Sequence, residues 1–378
     1  MGINFPDTPV LNQLYPIPIT PGLPQYRWDG EKWVTATSID MSGTVRYDTA
    51  QALTASQKAQ ARSNIDCLKK NYIINGAMQV SQENGATVGT TSGYYAADMF
   101  NYIFSNAGVQ SFAQVASPAP SGSPNRLRVT VTTADASVGA GDFLFIGQTP
   151  EGLRVADLRL GSSAAKTFTV QFGVKAPAGT YSMSFTNGAA NRTYVAEYVI
   201  AAGEANIDVV KSITLTGDTT GTWAVDNSAG VYIRWCLMVG TTNQLAAGAW
   251  GAGNLLGSPN QFNFMGTVNN VFELFDVGLY EGPVAPAFQV PDYPSELALC
   301  RRYYEKTGIV TTSSIATLMP TGFWTVEKRT TPSPFTWTVD VGTGATYSTV
   351  NSAPTKAFYQ NAAHSQIATA TITGNARL

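Results

Sequence analysis

Histidine, cysteine and charge are all scarce in this chain. A single histidine, His364, stands among 378 residues. It leaves no set of imidazoles for a metal and only one possible base for a Ser-His or Cys-His pair. Three cysteines, Cys67, Cys236 and Cys300, are odd in number and far apart. They fit neither a disulfide framework nor a zinc site, and read as reduced thiols of a protein made in a cytosol. Charged residues make up 13%, about half the usual quarter. The net charge is −2, and no basic patch stands out, which argues against a nucleic-acid partner. No apolar run approaches a transmembrane helix, so membrane insertion is not expected. Met1-Gly2 opens a Pro-studded segment without the charged start and apolar core of a secretory signal. Asp7 stands where a myristoylation motif needs Ser or Thr.

Apolar content is ordinary at 44%. The polar surface must therefore come from Thr, Ser, Asn, Gln and Gly, a composition of sheet-rich extracellular or virion proteins that bacterial cell-surface proteins share. The first 48 residues carry six prolines, Pro6, Pro9, Pro16, Pro18, Pro21 and Pro24. Proline fixes φ and removes a donor, so this arm is extended. It ends in "YRWDGEKWV", where Asp29-Gly30 predicts a two-residue hairpin turn with Tyr26 facing Trp33 and Arg27 facing Lys32. Tyr26, Trp28 and Trp33 then form an aromatic face that a lone hairpin cannot bury. The next segment, 49–70, holds "LTASQKAQARSNI", a short Ala-rich helix opened by a T-x-x-Q capping box at Thr54 and Gln57. It is weakly apolar and marginal alone.

From 71 to 293 the pattern has period two. "TFTVQFGVKA", "TYSMSF", "RTYVAEYVI", "GVYIRWCLMVG" and "VFELFDVGLY" alternate apolar and polar residues between turn clusters, as in an antiparallel sandwich. Trp223 and Trp235 fall in strands and read as core. "PSELALCRRYYEKTG" breaks the rhythm. Pro294 suits a first helical turn and Gly308 a stop, with Leu297, Cys300, Arg301 and Tyr304 on one face. The span 294–378 is read as this helix plus a small C-terminal β domain.

At this point the residues resemble a known class. "YIINGAMQVSQENGATVGTTSGYYAADMF" is similar to the opening of a β-sandwich module of tailed-bacteriophage fibre and spike proteins. "NRTYVAEYVI", "GDTTGTWAVDNSAGVYIRWCLMVG", "VFELFDVGLYEG" and "ELALCRRYYEK" resemble its later parts, in the right order. The first 48 residues resemble a virion-attachment element, and the Ala-rich segment a fibre connector, although it ends "NIDC" where "NIGA" is usual. The resemblance implies a mainly β homotrimer with an extended N-terminal arm, a helical connector, a central jelly-roll-like β-sandwich, a short helix and a small C-terminal β domain. It implies a chain made in the host cytoplasm and carried on the virion, anchored to another virion structural protein through the arm. Trimerisation would bring the copies of Tyr26, Trp28, Trp33 and Cys67 together.

Candidate chemistry is thin. Ser365 adjoins His364 but lacks a nucleophile elbow. Glycoside hydrolysis needs two facing carboxylates; Asp98, Asp142, Glu273, Asp276 and Glu281 are available but unpaired in any motif, so no enzyme activity is expected. "GAWGAGNLLG" lacks the Lys of a phosphate loop, and no calcium loop is recognisable; no cofactor or metal is expected. Glycan binding needs exposed rings beside amides. Trp250 and Asn254 in a Gly-rich loop, and Tyr94 and Tyr95 after "GTTSG", are the candidates. The expected function is a virion fibre or spike that binds a host-surface glycan. The alternatives are a purely structural fibre of neck, collar or capsid, and a polysaccharide-degrading tail spike.

Overall fold

The computed structural model describes residues 4–17, 24–36, 54, 57, 61, 70–311, 321–341, 355–359 and 368–378. The chain divides into two compact units, Met1–Asp66 and Cys67–Leu378. Strands are numbered in chain order.

In the first unit, β1 (Leu14–Tyr15), β2 (Tyr26–Trp28) and β3 (Trp33–Thr35) form one antiparallel sheet. The hairpin register differs from the expected one. Trp28 pairs with Trp33, Arg27 with Val34 and Tyr26 with Thr35. The Asp29 side chain sets this register. Its Oδ1 accepts from the backbone N–H groups of Glu31 and Lys32, both at 2.9 Å. That draws the turn out to four residues, with Gly30 at φ 110°. The rings are covered in part by their own arm. Phe5 stacks on Trp33 at 5.0 Å and meets Tyr26 edge-on at 5.1 Å. In the connector, Thr54 and Gln57 form the reciprocal cap, at 2.9 and 3.2 Å. Apart from Ala61, the rest of that helix lies outside the described residues, as do Cys67, His364 and Ser365.

The second unit is mainly β, with several sheets. A seven-stranded antiparallel sheet runs in the order β14 (Trp250–Ala252), β11 (Arg192–Ile200), β10 (Gly179–Asn187), β13 (Val231–Val239), β8 (Phe143–Gln148), β5 (Phe100–Ser105), β4 (Tyr94–Ala97). A five-stranded sheet runs β12 (Val209–Leu215), β9 (Phe168–Lys175), β15 (Val271–Glu281), β7 (Asn125–Thr133), β6 (Val109–Ala116). The chain crosses between the two sheets repeatedly, and their inner faces share one core. Phe172 meets Trp235 edge-on at 5.9 Å, and Phe168 meets Phe185 at 5.7 Å. Period two explains most of this: Phe168, Val170, Phe172 and Val174 all point inward, opposite Tyr181, Met183 and Phe185.

Two bulges break the period. Asp276 adopts φ 50°, and the register of β15 shifts between Phe275 and Gly278. Val277 therefore joins the core with Leu274, although the two are three positions apart. A second shift between Cys236 and Met238 brings both Leu237 and Met238 into the core.

Among the described residues of this unit, besides a short turn of helix, α1 (Gly152–Val155), there is one longer helix, α2 (Tyr293–Arg301). Asp292 caps α2 by accepting from Ser295 N at 3.1 Å, ahead of Pro294 in the first turn. The helix does not run on to Gly308. The β-prone stretch Tyr304–Thr311 is β16, paired along its length with β20 (Ala368–Asn375). β20 also pairs with β18 (Phe335–Val341), while β17 (Thr321–Phe323) pairs with β19 (Ala357–Tyr359). Leu297, Cys300 and Tyr303 pack on Ile74, Val80 and Met99. Arg302 holds the sandwich through a bidentate pair with Glu151, at 2.7 and 3.0 Å.

Candidate functional site

The motif residues of "YIINGAMQVSQ" and Asp98 turn inward to hold the fold. The Asn75 side chain donates to the carbonyls of Val80 and Asp98 and accepts from Val80 N. Asp98 accepts from Gln82 N at 2.9 Å and Gln82 Nε2 at 2.5 Å. Burial pushes the Asp98 carboxyl pKa up, opposed by these bonds and by Arg377. The other carboxylates singled out for hydrolysis are engaged too. Glu273 lies between Arg126 and Arg128. Asp276 accepts from Ser121 N and the Ser123 hydroxyl. Asp142 accepts from Gly139 N, and Glu281 pairs with Lys166.

The candidate ligand residues fall in two places. Trp250 is not in a loop but in edge strand β14, opposite Tyr194. Its indole N–H donates to Thr216 O at 2.8 Å, and its ring meets Tyr194 at 5.4 Å and Trp223 at 5.5 Å. It is half-buried and closes the sheet edge. The Tyr94 ring packs over Gly89, and its hydroxyl donates to Thr87 O at 2.5 Å. Tyr95 carries the Arg377 guanidinium on its ring at 3.8 Å, and Asn101 hydrogen-bonds its hydroxyl.

Asn254 leads to a different constellation, on the outer face of the seven-stranded sheet. Residues opposite one another on antiparallel strands share a face. Asn101, Gly147, Arg234 and Ser184 therefore form one row across β5, β8, β13 and β10. Tyr232 and Thr186 lie in the row on one side; Cys236 and Phe145 lie in the row on the other. A Cβ at Gly147 would sit 2.7 Å from Asn101 Oδ1, so glycine lets that amide lie across the strand. Asn101 thus links Tyr95 to this row.

Arg234 is the centre. It is only 7% exposed. Its Nη1 donates to Thr186 Oγ1 at 3.1 Å and to Asn254 Oδ1 at 3.0 Å. The guanidinium lies 4.8 Å from the Tyr232 ring centre and 5.4 Å from that of Phe145. Among the described residues no carboxylate pairs with it, and its ionisable neighbours are Cys236 and Tyr232. Burial pushes its pKa down, yet arginine keeps its charge in proteins. Tyr232 and Phe145 are half-buried beside the cation, and half-buried Phe143 stacks on Phe145 with ring centres 6.0 Å apart. Sequence reasoning found Asn254 and missed Arg234. One signal was present: Arg234 is the sole charge in the apolar strand "VYIRWCLMV".

No protein-family model matches the chain, and no curated protein matches it in sequence. Among solved structures, an arabinose-bound MgGH51 α-L-arabinofuranosidase is 9% identical with TM-score 0.30, over 54% of this chain and 26% of that one. The enzymatically active domain of tailspike protein 4 of bacteriophage CBA120 is 12% identical with TM-score 0.28, over 56% of this chain and 21% of that one. The family 11 carbohydrate-binding module of the cellulase Lic26A-Cel5E of Clostridium thermocellum is 10% identical with TM-score 0.27, over 53% of this chain and 98% of that one. The chain thus spans about a quarter of the length of the first two. Values this low define no family for it. Among the described residues, no helix is long and apolar enough to cross a membrane, and no group of three or more His, Cys, Asp or Glu side chains is placed to hold a metal ion.

Proposed function

We propose that this chain is a homotrimeric bacteriophage fibre or spike protein that projects from the virion and binds a host-surface glycan. The observation that carries glycan binding is the outer face of the seven-stranded sheet. There the half-buried rings of Tyr232 and Phe145 flank Arg234, with the amides of Asn101 and Asn254 in reach of the same surface. Saccharides are held by this combination: rings take the apolar C–H faces, and fixed polar groups select hydroxyls. The phage reading rests on the ordered fibre-like motifs of the sequence. The N-terminal unit is its anchor to another virion protein. Three of the five carboxylates considered for hydrolysis, Asp98, Glu273 and Asp276, are buried and engaged within the fold, which favours a binder over a polysaccharide-degrading spike.

The test is competition for adsorption. Host cells are preincubated with purified full-length protein, virions are added and free phage counted. A saturable fall in adsorption, lost in Tyr232→Ala, supports the reading. Unchanged adsorption with folded protein overturns receptor binding and leaves a structural fibre.

A further inference from the structure

We infer that the Arg234 site takes an anionic saccharide, its oxyanion seated on the guanidinium between Tyr232 and Phe145. This rests on the glycan-binding reading and names the ligand's chemistry.

A buried charge is expensive unless an opposite charge compensates it. Several other buried or half-buried cations of this unit have such compensation, while Arg154 and Arg329 each donate to three backbone carbonyls. Arg126 has Asp208 and Glu273, Arg192 has Asp218, Arg302 has Glu151, and Lys328 has Glu305. Arg234, at 7% exposed, has only a hydroxyl and an amide. Both contacts go to Nη1. They orient the planar group and leave the Nε–Nη2 edge without a protein acceptor among the described residues. That edge is the fork which matches two oxygens of a carboxylate or a sulfate ester. Low local dielectric strengthens such a contact. The adjoining rings supply apolar area for the sugar itself, so charge and stacking select one ligand together.

The experiment uses the full-length protein and three polymers: polygalacturonate for carboxylate, dextran sulfate for sulfate ester, and dextran as the neutral control. Binding is followed by calorimetry at low and high salt. The expected result is binding to at least one acidic polymer, at least tenfold tighter than to dextran and weakened by salt. The key variant is Asn254→Asp. It places a carboxylate where Asn254 Oδ1 now lies, 3.0 Å from Nη1, and neutralises the arginine without removing it. Asn254 is exposed, so folding is retained. The variant is expected to lose acidic-polymer binding tenfold or more while its melting temperature rises. Arg234→Gln is expected to lose the same binding. Equal affinity of wild type for acidic and neutral polymer, or unaltered acidic-polymer binding in folded Asn254→Asp, overturns the inference. If no acidic polymer binds but the protein still blocks adsorption, this inference fails and the receptor-binding reading stands. If it neither binds nor blocks, both fail.

Discussion

Glu296, in the first turn of α2, accepts a hydrogen bond at 2.5 Å from the backbone N–H of Asn75, 221 positions earlier. The two residues belong to two separate stretches of the chain, "YIINGAMQVSQ" and "ELALCRRYYEK". Gln82 of the first motif extends the contact, its Nε2 donating to Tyr304 O of the second at 2.7 Å. Ile74 and Val80 pack with Cys300 and Tyr303 beside these bonds. The motifs are therefore two halves of one joint between the sandwich and the C-terminal segment. Glu296→Ala would leave the Asn75 N–H buried without an acceptor, a loss of roughly 1–3 kcal/mol. Glu296→Gln keeps an acceptor and should lose less. Urea unfolding of the two variants checks the order; an Ala variant as stable as the Gln variant would show the bond to be idle.

Asp98 gives a pH prediction. Burial is the largest influence on its carboxyl and raises its pKa above the ordinary 3.8, while Gln82 and Arg377 pull it down and Glu83 pushes it up. The folded protein thus retains a proton that the unfolded chain releases. This contribution to stability is full below pH 3.8 and is lost as pH rises toward the folded pKa. Asp98→Asn removes the titration. It also sets an amide against Gln82 Nε2, which adds a pH-independent penalty. Stability of wild type minus variant should therefore fall as pH rises above 3.8, measured by denaturant midpoints across that range. A difference that stays flat or grows with pH would sink the assignment.

Gly76 accounts for the glycine in "NGAM". A Cβ at this position would lie 2.0 Å from Val277 O and 3.1 Å from its carbonyl carbon. The obstacle is backbone of β15, held there by the Val277 N–H donating to Gly76 O at 2.9 Å. No side-chain rotation relieves that clash. Gly76→Ala should cost about 3 kcal/mol or more, in the range of strained or overpacked sites. Gly85→Ala meets no atom within 4 Å but sits at φ 55°, so its penalty should be only about 1 kcal/mol. Thermal melts of both variants test the ranking.

The alternating strands were legible because a face buried on one side leaves a period of two in the sequence. Phe168, Val170, Phe172 and Val174 show it directly. Where a backbone bulge intervenes the period misleads. Nothing in "VFELFDVGLY" announces that Asp276 will take φ 50° and carry Val277 inward. The Asp29 side chain likewise overrode the Asp-Gly turn rule by capping two backbone donors. The Arg234 site was illegible for a different reason. Its parts come from β5, β8, β10, β13 and the chain after β14, and only strand order makes Asn101, Gly147 and Arg234 neighbours. Asn254 was selected as a loop amide and Trp250 as a loop ring, but the first faces the arginine and the second closes an edge.

Lys328 and Glu305 form an ion pair with both side chains fully buried. Lys328 also donates to Arg301 O at 2.5 Å and lies 4.8 Å from the Trp324 ring, while Glu305 takes Thr325 N at 3.2 Å. Removing one partner of a buried pair strands the other, at roughly 3–5 kcal/mol. Lys328→Met should show a loss of that size. The double variant Lys328→Met/Glu305→Gln should recover part of it, because no uncompensated charge remains. A double-variant cycle in urea measures the coupling; additive losses would mean that the two charges do not depend on each other.

The aromatic hairpin of the N-terminal unit sets intrachain cover against assembly. Phe5 stacks on Trp33 and touches Tyr26, and Tyr15 approaches Trp33 at 6.1 Å. The cluster is thus closed from one side by the arm, while Tyr26, Trp28 and Trp33 remain only half-buried. If three hairpins bury those remaining surfaces against one another, Trp28→Ala should lower the trimer fraction seen by mass photometry at nanomolar concentration. Among the rings of the described residues Trp28 touches only Trp33, at 5.7 Å, so its removal spares the Phe5 stack. Phe5→Ala should loosen the unit itself, exposing Trp33 to quenchers at every concentration. A trimer fraction unchanged by Trp28→Ala, with the fold of the unit intact, would locate the assembly contacts elsewhere in the chain.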